Sequence, residues 1–307
     1  MVTKKISSSK KIEPTYTNPW LDYINAPLGE IEVIVEKYEF HPLDREAIIE
    51  ENQYARIDTY DKYMFMVLHF PKYDTINERY VSNEFNIFIA PEYLMTFRYF
   101  QTNTIKKLQD RYALWDKNLP YPNTGFLLYE VIENLLEHVM KMLEWFHRDL
   151  KSIEKTLFLA NGPDLIKSIM TKKRNIITLK HMISPQIGVM KLVRIHMATM
   201  FGDEVETYFE NLEDKLDKIY SEILIIQENI DSMEDTLKSI FELKTNSTIK
   251  YLTVFSAFML PLTLITSFFG MNTETWHFDN VLITSSILSI VFVAILLTII
   301  MRKKDLL

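Results

Sequence analysis

The residues of this chain best placed to do chemistry are neutral oxygens on one face of an apolar segment. Asn246, Ile249, Thr253, Ser256, Leu260, Thr263 and Ser267 step by three and four residues, the spacing of neighbours on one helix face. Leu252 lies beside them. A single Ser or Thr in such a segment bonds back to its own helix or to a neighbouring one. A whole stripe in register suits a water-containing lumen lined by one helix per subunit. Ile249, Leu252 and Leu260 are then constrictions that gate by dewetting. One chain supplies too little wall for a pore, so the stripe requires an oligomer. It stops at Gly270-Met271-Asn272.

Other chemistry is poorly served. The seven histidines are scattered, and the six glycines form no phosphate loop. His138 and His147 share one predicted helix but lie nine residues apart, so each reads as an ordinary surface or packing histidine. With no cysteine, disulfides, thiolate metal sites and cysteine catalysis are excluded. The net charge is −7 and the basic residues form no stripe, which argues against nucleic acid as a partner. An enzyme is not expected.

The stripe needs an element that can carry it. Tyr251–Phe269 and Val281–Met301 are apolar runs without a charged side chain. About 20 helical residues cross the hydrocarbon core of a bilayer. The expectation is two transmembrane helices, 251–269 and 281–301, joined by a loop at 270–280. Lys244 and Lys250 precede the first, and Arg302, Lys303 and Lys304 follow the second in a basic tail at 302–307. The loop has no Lys or Arg, so the positive-inside rule puts both termini in the cytoplasm. Residues 1–14 are Lys- and Ser-rich without an apolar stretch behind them, and read as a flexible tail rather than a signal peptide.

Upstream, residues 15–125 read as a cytosolic α/β domain. Ile31–Tyr38 suggests a half-buried strand, with Ile34 breaking the alternation. His41-Pro42 starts a short helix with proline in its first turn. Tyr63–Phe70 is a β-rich run ended by Pro71; Phe85–Ala90 and Tyr93–Tyr99 form a hairpin around Ala90-Pro91. Residues 126–250 form a helical stalk. A first helix ends near Asn161-Gly162-Pro163, and a second runs to about Met200, with Pro185 as a kink or interruption. From Asp203 to Phe269 there is no glycine, and the only proline is Pro261. Phe209, Leu212, Leu216, Ile219, Ile223, Ile226, Ile230, Met233, Leu237 and Ile240 form a coiled-coil-type seam. It leads into the first span without a breaker, as one helix ~100 Å long. Partner subunits and the two shorter helices together are expected to support it.

At Gly270-Met271-Asn272, directly after a span containing Met259-Leu260-Pro261-Leu262, the chain resembles the CorA family of divalent-cation transporters, of the two-transmembrane Gly-Met-Asn type. Asn246, Lys250, Leu252 and Thr253 fit that family's inner-mouth pattern, and His41-Pro42-Leu43 with the Tyr60–Phe70 region resembles its cytosolic domain. The resemblance implies a funnel-shaped homopentamer in the inner (plasma) membrane, α+β in its soluble part, with first spans lining the pore and second spans outside. It implies Mg²⁺ transport, with Co²⁺ as a second substrate. Mg²⁺ gives up its water reluctantly, and a ring of Asn272 amide oxygens can accept hydrogen bonds from a hydrated ion. Gly270 lets the backbone turn, and Met271 completes the tripeptide. Glu274 and Asp279 either raise local cation concentration at the entrance or are ordinary loop acids.

The chain also departs from the family. The loop reads Thr273-Glu274-Thr275-Trp276-His277-Phe278 where Met-Pro-Glu-Leu is common. Acids on the short helix and the stalk of relatives hold a regulatory Mg²⁺ between subunits. The corresponding residues here are Glu46, Ala47 and Asn211, and only Glu46 is a carboxylate. Glu210, Glu213 and Asp214 are substitutes after a register shift, so cytosolic Mg²⁺ control is expected to be weakened or moved. Two alternatives stand beside this reading: a Zn²⁺ or Ni²⁺ transporter of the same fold, and a membrane-anchored coiled-coil scaffold or sensor. The scaffold explains seam and spans but not the stripe.

Overall fold

Residues 20–50, 53–113, 123–156 and 163–270 are described in the computed structural model, with short helical stretches between 284 and 299. The chain divides into two units, Met1–Met233 and Glu234–Leu307.

The first unit is built on a five-stranded sheet of order β1-β5-β4-β3-β2. Its strands are β1 (Trp20–Ile24), β2 (Arg56–Thr59), β3 (Met64–Asp74), β4 (Arg79–Ala90) and β5 (Tyr93–Arg98). β1 runs parallel to β5 and the other pairs are antiparallel. The β4–β5 hairpin turns at Pro91-Glu92, where the sequence places it. The pleat divides the apolar residues between two faces. Phe65, Val67, Phe88 and Phe97 pack with Ile31, Ile34, Ala47 and Ile48 of helices α1 (Leu28–Tyr38) and α2 (Pro42–Ile49). Met64, Met66, Leu68, Phe85, Ile87 and Ile89 point the other way and are fully buried.

Two expectations change here. Residues 28–38 are a helix, not a strand. Ile31, Ile34, Val35 and Tyr38 follow the i, i+3, i+4, i+7 pattern of a helix face. Ile34 thus fits the helix rather than breaking a strand, while Val33 is 63 % exposed. Glu39, in the left-handed region at φ 57°, closes the helix. Second, β3 does not stop at Pro71 but continues to Asp74, with Pro71 opposite Ser82. The N–H and C=O of His69 are taken by the Gln186 side chain, at 3.0 and 2.8 Å, so they face away from β4. Pro71, two residues on, faces the same way. Beyond Val67 no described strand lies on that side, so its missing N–H breaks no ladder.

Helices α3 (Asn103–Ala113), α4 (Thr124–Thr156), α5 (Pro163–Phe201) and α6 (Asp203–Gly270) follow. α5 is assigned as one helix through Pro185. Gly202, at φ 92°, makes the turn into α6. Gly125 permits the start of α4 to meet the end of α5, since a Cβ there would sit 3.0 Å from Phe201. The seam residues Phe209 through Met233 are buried within this unit. Lys215 of α6 pairs with Glu133 of α4, Arg194 of α5 with Glu206 and Glu213 of α6, and Lys173 of α5 with Asp231 of α6. The two shorter helices of the same chain therefore supply their part of the support expected for the seam.

Candidate functional site

The stripe residues all lie in the second unit, on the C-terminal part of α6. At 100° per residue, Asn246, Ile249, Leu252, Thr253, Ser256, Leu260, Thr263 and Ser267 fall within an arc of about 120°. Helix propensity there needs help, because β-branched and aromatic residues are frequent. The segment runs as helix through Pro261.

Two stripe hydroxyls are fixed by the backbone. Thr253 Oγ1 donates to Ile249 O and Thr263 Oγ1 to Met259 O, each at 2.8 Å. This is the back-bonding expected of isolated threonines. It has a consequence for the stripe. With its proton committed to the helix, each hydroxyl presents only lone pairs outward, so it accepts from water but does not donate. An aligned acceptor is the orientation that the hydration shell of a cation requires.

The apolar side chains of this segment are exposed among the described residues: Ile249, Leu252 and Leu260 of the stripe, with Phe255 and Leu264, are each more than half exposed. No charged residue occurs from Tyr251 to Gly270. A helix apolar all round is stable only when something apolar surrounds it. Among the described residues, none of the most apolar 18-residue window of α6 is buried. Further on, Leu288, Val291, Phe292, Ile295 and Ile299 are helical and more than half exposed. Met271, Asn272, Glu274 and Asp279 lie outside the described residues, as do residues 1–19 and the basic tail at 302–307. Gly270 is the last residue of α6.

The candidate regulatory residues occupy the first unit. Glu46 is exposed on α2, whereas its neighbour Ala47 is 1 % exposed and belongs to the core. Asn211, Glu210 and Asp214 are exposed on α6. Glu213 is already engaged, with Arg194 Nε at 3.1 Å and Lys191 Nζ at 3.8 Å. Among the described residues no three of His, Asp and Glu are grouped to hold a metal.

Sequence reasoning missed the polar network that sets α2 in place. The His41 N–H donates to Tyr63 Oη at 2.8 Å, and Tyr63 Oη donates to Asp44 Oδ2 at 2.7 Å. Tyr60 Oη donates to Asp44 Oδ1 at 3.0 Å, and His41 Nδ1 accepts from the Leu43 N–H at 3.2 Å. Burial pushes the Asp44 carboxyl above the usual aspartate range, against the tyrosine hydrogen bonds that lower it. The only signal in the sequence was the His-Pro start of α2. A second missed feature is the buried pair of Arg98 and Asp22, at 2.7 Å, which Gln109 and Thr96 complete.

A model of the CorA family, described as CorA-like Mg²⁺ transporter protein, matches residues 17–303. The cobalt/magnesium transport protein CorA of Thermotoga maritima is 20 % identical over 299 residues, 95 % of this chain and 85 % of that one. The protein of the same name from Methanocaldococcus jannaschii is 19 % identical over 255 residues, 82 % of this chain and 79 % of its own. The complete structure of the CorA magnesium transporter from M. jannaschii superposes with a TM-score of 0.79 at 17 % identity, covering 92 % of this chain and 89 % of the other. The full-length CmaX protein superposes at 0.78 with 15 % identity, over 96 % and 90 %. At these identities the structural likenesses concern the fold.

Proposed function

The chain belongs to the CorA family of Mg²⁺/Co²⁺ transporters, and from that membership we propose that it carries Mg²⁺, with Co²⁺ as a second cation, through a pore walled by the end of α6. The observation that supports this is the charge-free part of α6, exposed among the described residues and carrying two stripe hydroxyls, Thr253 and Thr263, whose protons are committed to the helix. Two C-terminal spans cross the plasma membrane with both termini cytoplasmic, and five copies bring their stripes around one axis. Ile249, Leu252 and Leu260 narrow the water column. Gly270 ends the wall, and Asn272 faces the incoming ion.

The chemistry follows from hydration. A small divalent cation polarises its first-shell water, whose protons point outward. Neutral amide and hydroxyl oxygens accept those protons without replacing the water, so the ion is recognised but can leave. A carboxylate ring would bind the ion directly and slow its release. Glu274 and Asp279 concentrate cations at the mouth. Regulation through Glu46 is weak, because no acid accompanies it at position 47 or 211.

The test is growth of a Mg²⁺-uptake-deficient bacterium carrying this chain. Wild type restores growth at limiting Mg²⁺, and Asn272→Ala restores little or none while reaching the membrane in equal amount. Undiminished rescue by Asn272→Ala removes the selectivity assignment. Absence of ion flux in proteoliposomes of the wild type removes transport altogether.

A further inference from the structure

A cavity of about 200 Å³ opens in the first unit where β3, β4, the start of α3 and the middle of α4 meet. Its floor is Asn83. β3 and β4 pair Phe70 with Asn83 and Lys72 with Val81, which puts Phe70, Lys72 and Asn83 on the sheet face that looks toward Leu135 and Val139 of α4. Asn83 is 1 % exposed, and neither its Nδ2 nor its Oδ1 has a hydrogen-bond partner among the described residues. Leaving a buried amide without partners costs its full desolvation penalty, so a side chain of this kind calls for a ligand or ordered water.

The walls specify the sign of that ligand. Among the described residues no Asp or Glu lines the cavity. Lys72 does; its ammonium lies 3.9 Å from the centre of the Phe100 ring and has no carboxylate partner among the described residues. The first turn of α3 also lines it. There Thr102 Oγ1 accepts from the Ile105 N–H and Thr102 O from the Lys106 N–H. The N–H groups of Asn103 and Thr104 remain as donors at the positive end of a helix. His138 stands at the rim; desolvation and then the charge of Lys141 lower its pKa from the ordinary histidine value.

We propose that this cavity binds inorganic phosphate, with Asn83 as the discriminating residue and Lys72 and the start of α3 as the charge complement. The Asn83 amide has both a donor and an acceptor to satisfy. Hydrogen phosphate brings both, since its bare oxygens accept from Nδ2 and its P–OH donates to Oδ1. Sulfate at neutral pH brings acceptors only, and leaves Oδ1 orphaned. The volume is below the 300–1,000 Å³ of sites for larger organic ligands, which favours the free ion over a nucleotide. The site lies outside the pore segment and does not depend on the transport reading.

The experiment uses the full chain in detergent. Isothermal titration and thermal melts are run with sodium phosphate and sodium sulfate at matched ionic strength. Wild type binds phosphate saturably and sulfate about tenfold more weakly, the factor expected for one unsatisfied hydrogen bond. Asn83→Leu abolishes the difference between the two anions, and Lys72→Met weakens phosphate about tenfold. Lys72 is partly exposed, so its variant keeps the test valid should Asn83→Leu fold poorly. Equal responses to phosphate and sulfate, the general effect of excluded salts, overturn the proposal. So does the absence of saturable phosphate binding, which would leave Asn83 solvated by water, or undiminished binding by Lys72→Met.

Discussion

Asp44 is a carboxylate held between two phenols in a buried place, and its pKa is raised chiefly by that burial. A carboxyl whose folded pKa is raised binds its proton more tightly folded than unfolded. Its contribution to stability is full below the ordinary aspartate pKa of about 3.9 and is lost as pH rises through the raised folded value. Thermal melts over the acid range should therefore show wild type losing stability relative to Asp44→Asn as pH rises, because the amide has no proton to lose. Parallel profiles for the two proteins would refute this. Residue-scale features were the least legible in the sequence. The stripe could be read because helical spacing alone puts its members on one face. Asp44 and the Asp22–Arg98 pair could not be, because each depends on partners outside its own element, 76 residues apart for Arg98 and Asp22; nor could Asn83, because its burial is set by the packing of α3 and α4 against the sheet.

Gln186 shows what one element does for another. A side chain on α5 completes the hydrogen bonds of β3 where the sheet has no further strand, and its Nε2 also donates to Met182 O of its own helix. Gln186→Ala leaves the His69 N–H and C=O without their partner in a half-buried position. The expected cost is about 1–3 kcal/mol, read as a lower melting temperature for the variant in detergent; an unchanged melt would show that water replaces the amide. At this scale the long helices were legible, since α4, α5 and α6 each sustain a 3.6-residue pattern over many turns. The short elements were not. In α1 the same residues fit two periods over eight positions, and what decided between them was the packing of Ile31 and Ile34 on the sheet. The short strands β1 and β2 carry too few residues to show a period.

The whole molecule is organised so that one helix serves two environments. To Met233 the buried face of α6 is covered by α4 and α5, and beyond Tyr251 its apolar surface is left for others to cover. Under the proposed function five copies surround the stripe, and chemical cross-linking in membranes should then give a ladder ending at the pentamer. A ladder ending at the dimer would leave too little wall for a pore. Titration of the assembled protein with Mg²⁺ should show no tight site that Glu46→Ala removes, since Ala47 is in the core and Glu213 is engaged by Arg194 and Lys191. By itself the sequence determined what local spacing and composition carry: the long helix, the charge-free apolar runs, the hydroxyl stripe and the Gly-Met-Asn tripeptide that points to the family. Only the tertiary structure decided the sheet order, the helix at 28–38, the orphaned amide of Asn83 and the partners of the seam. Those depend on contacts between residues distant in sequence, and no periodicity within a single segment encodes which distant surface it will meet.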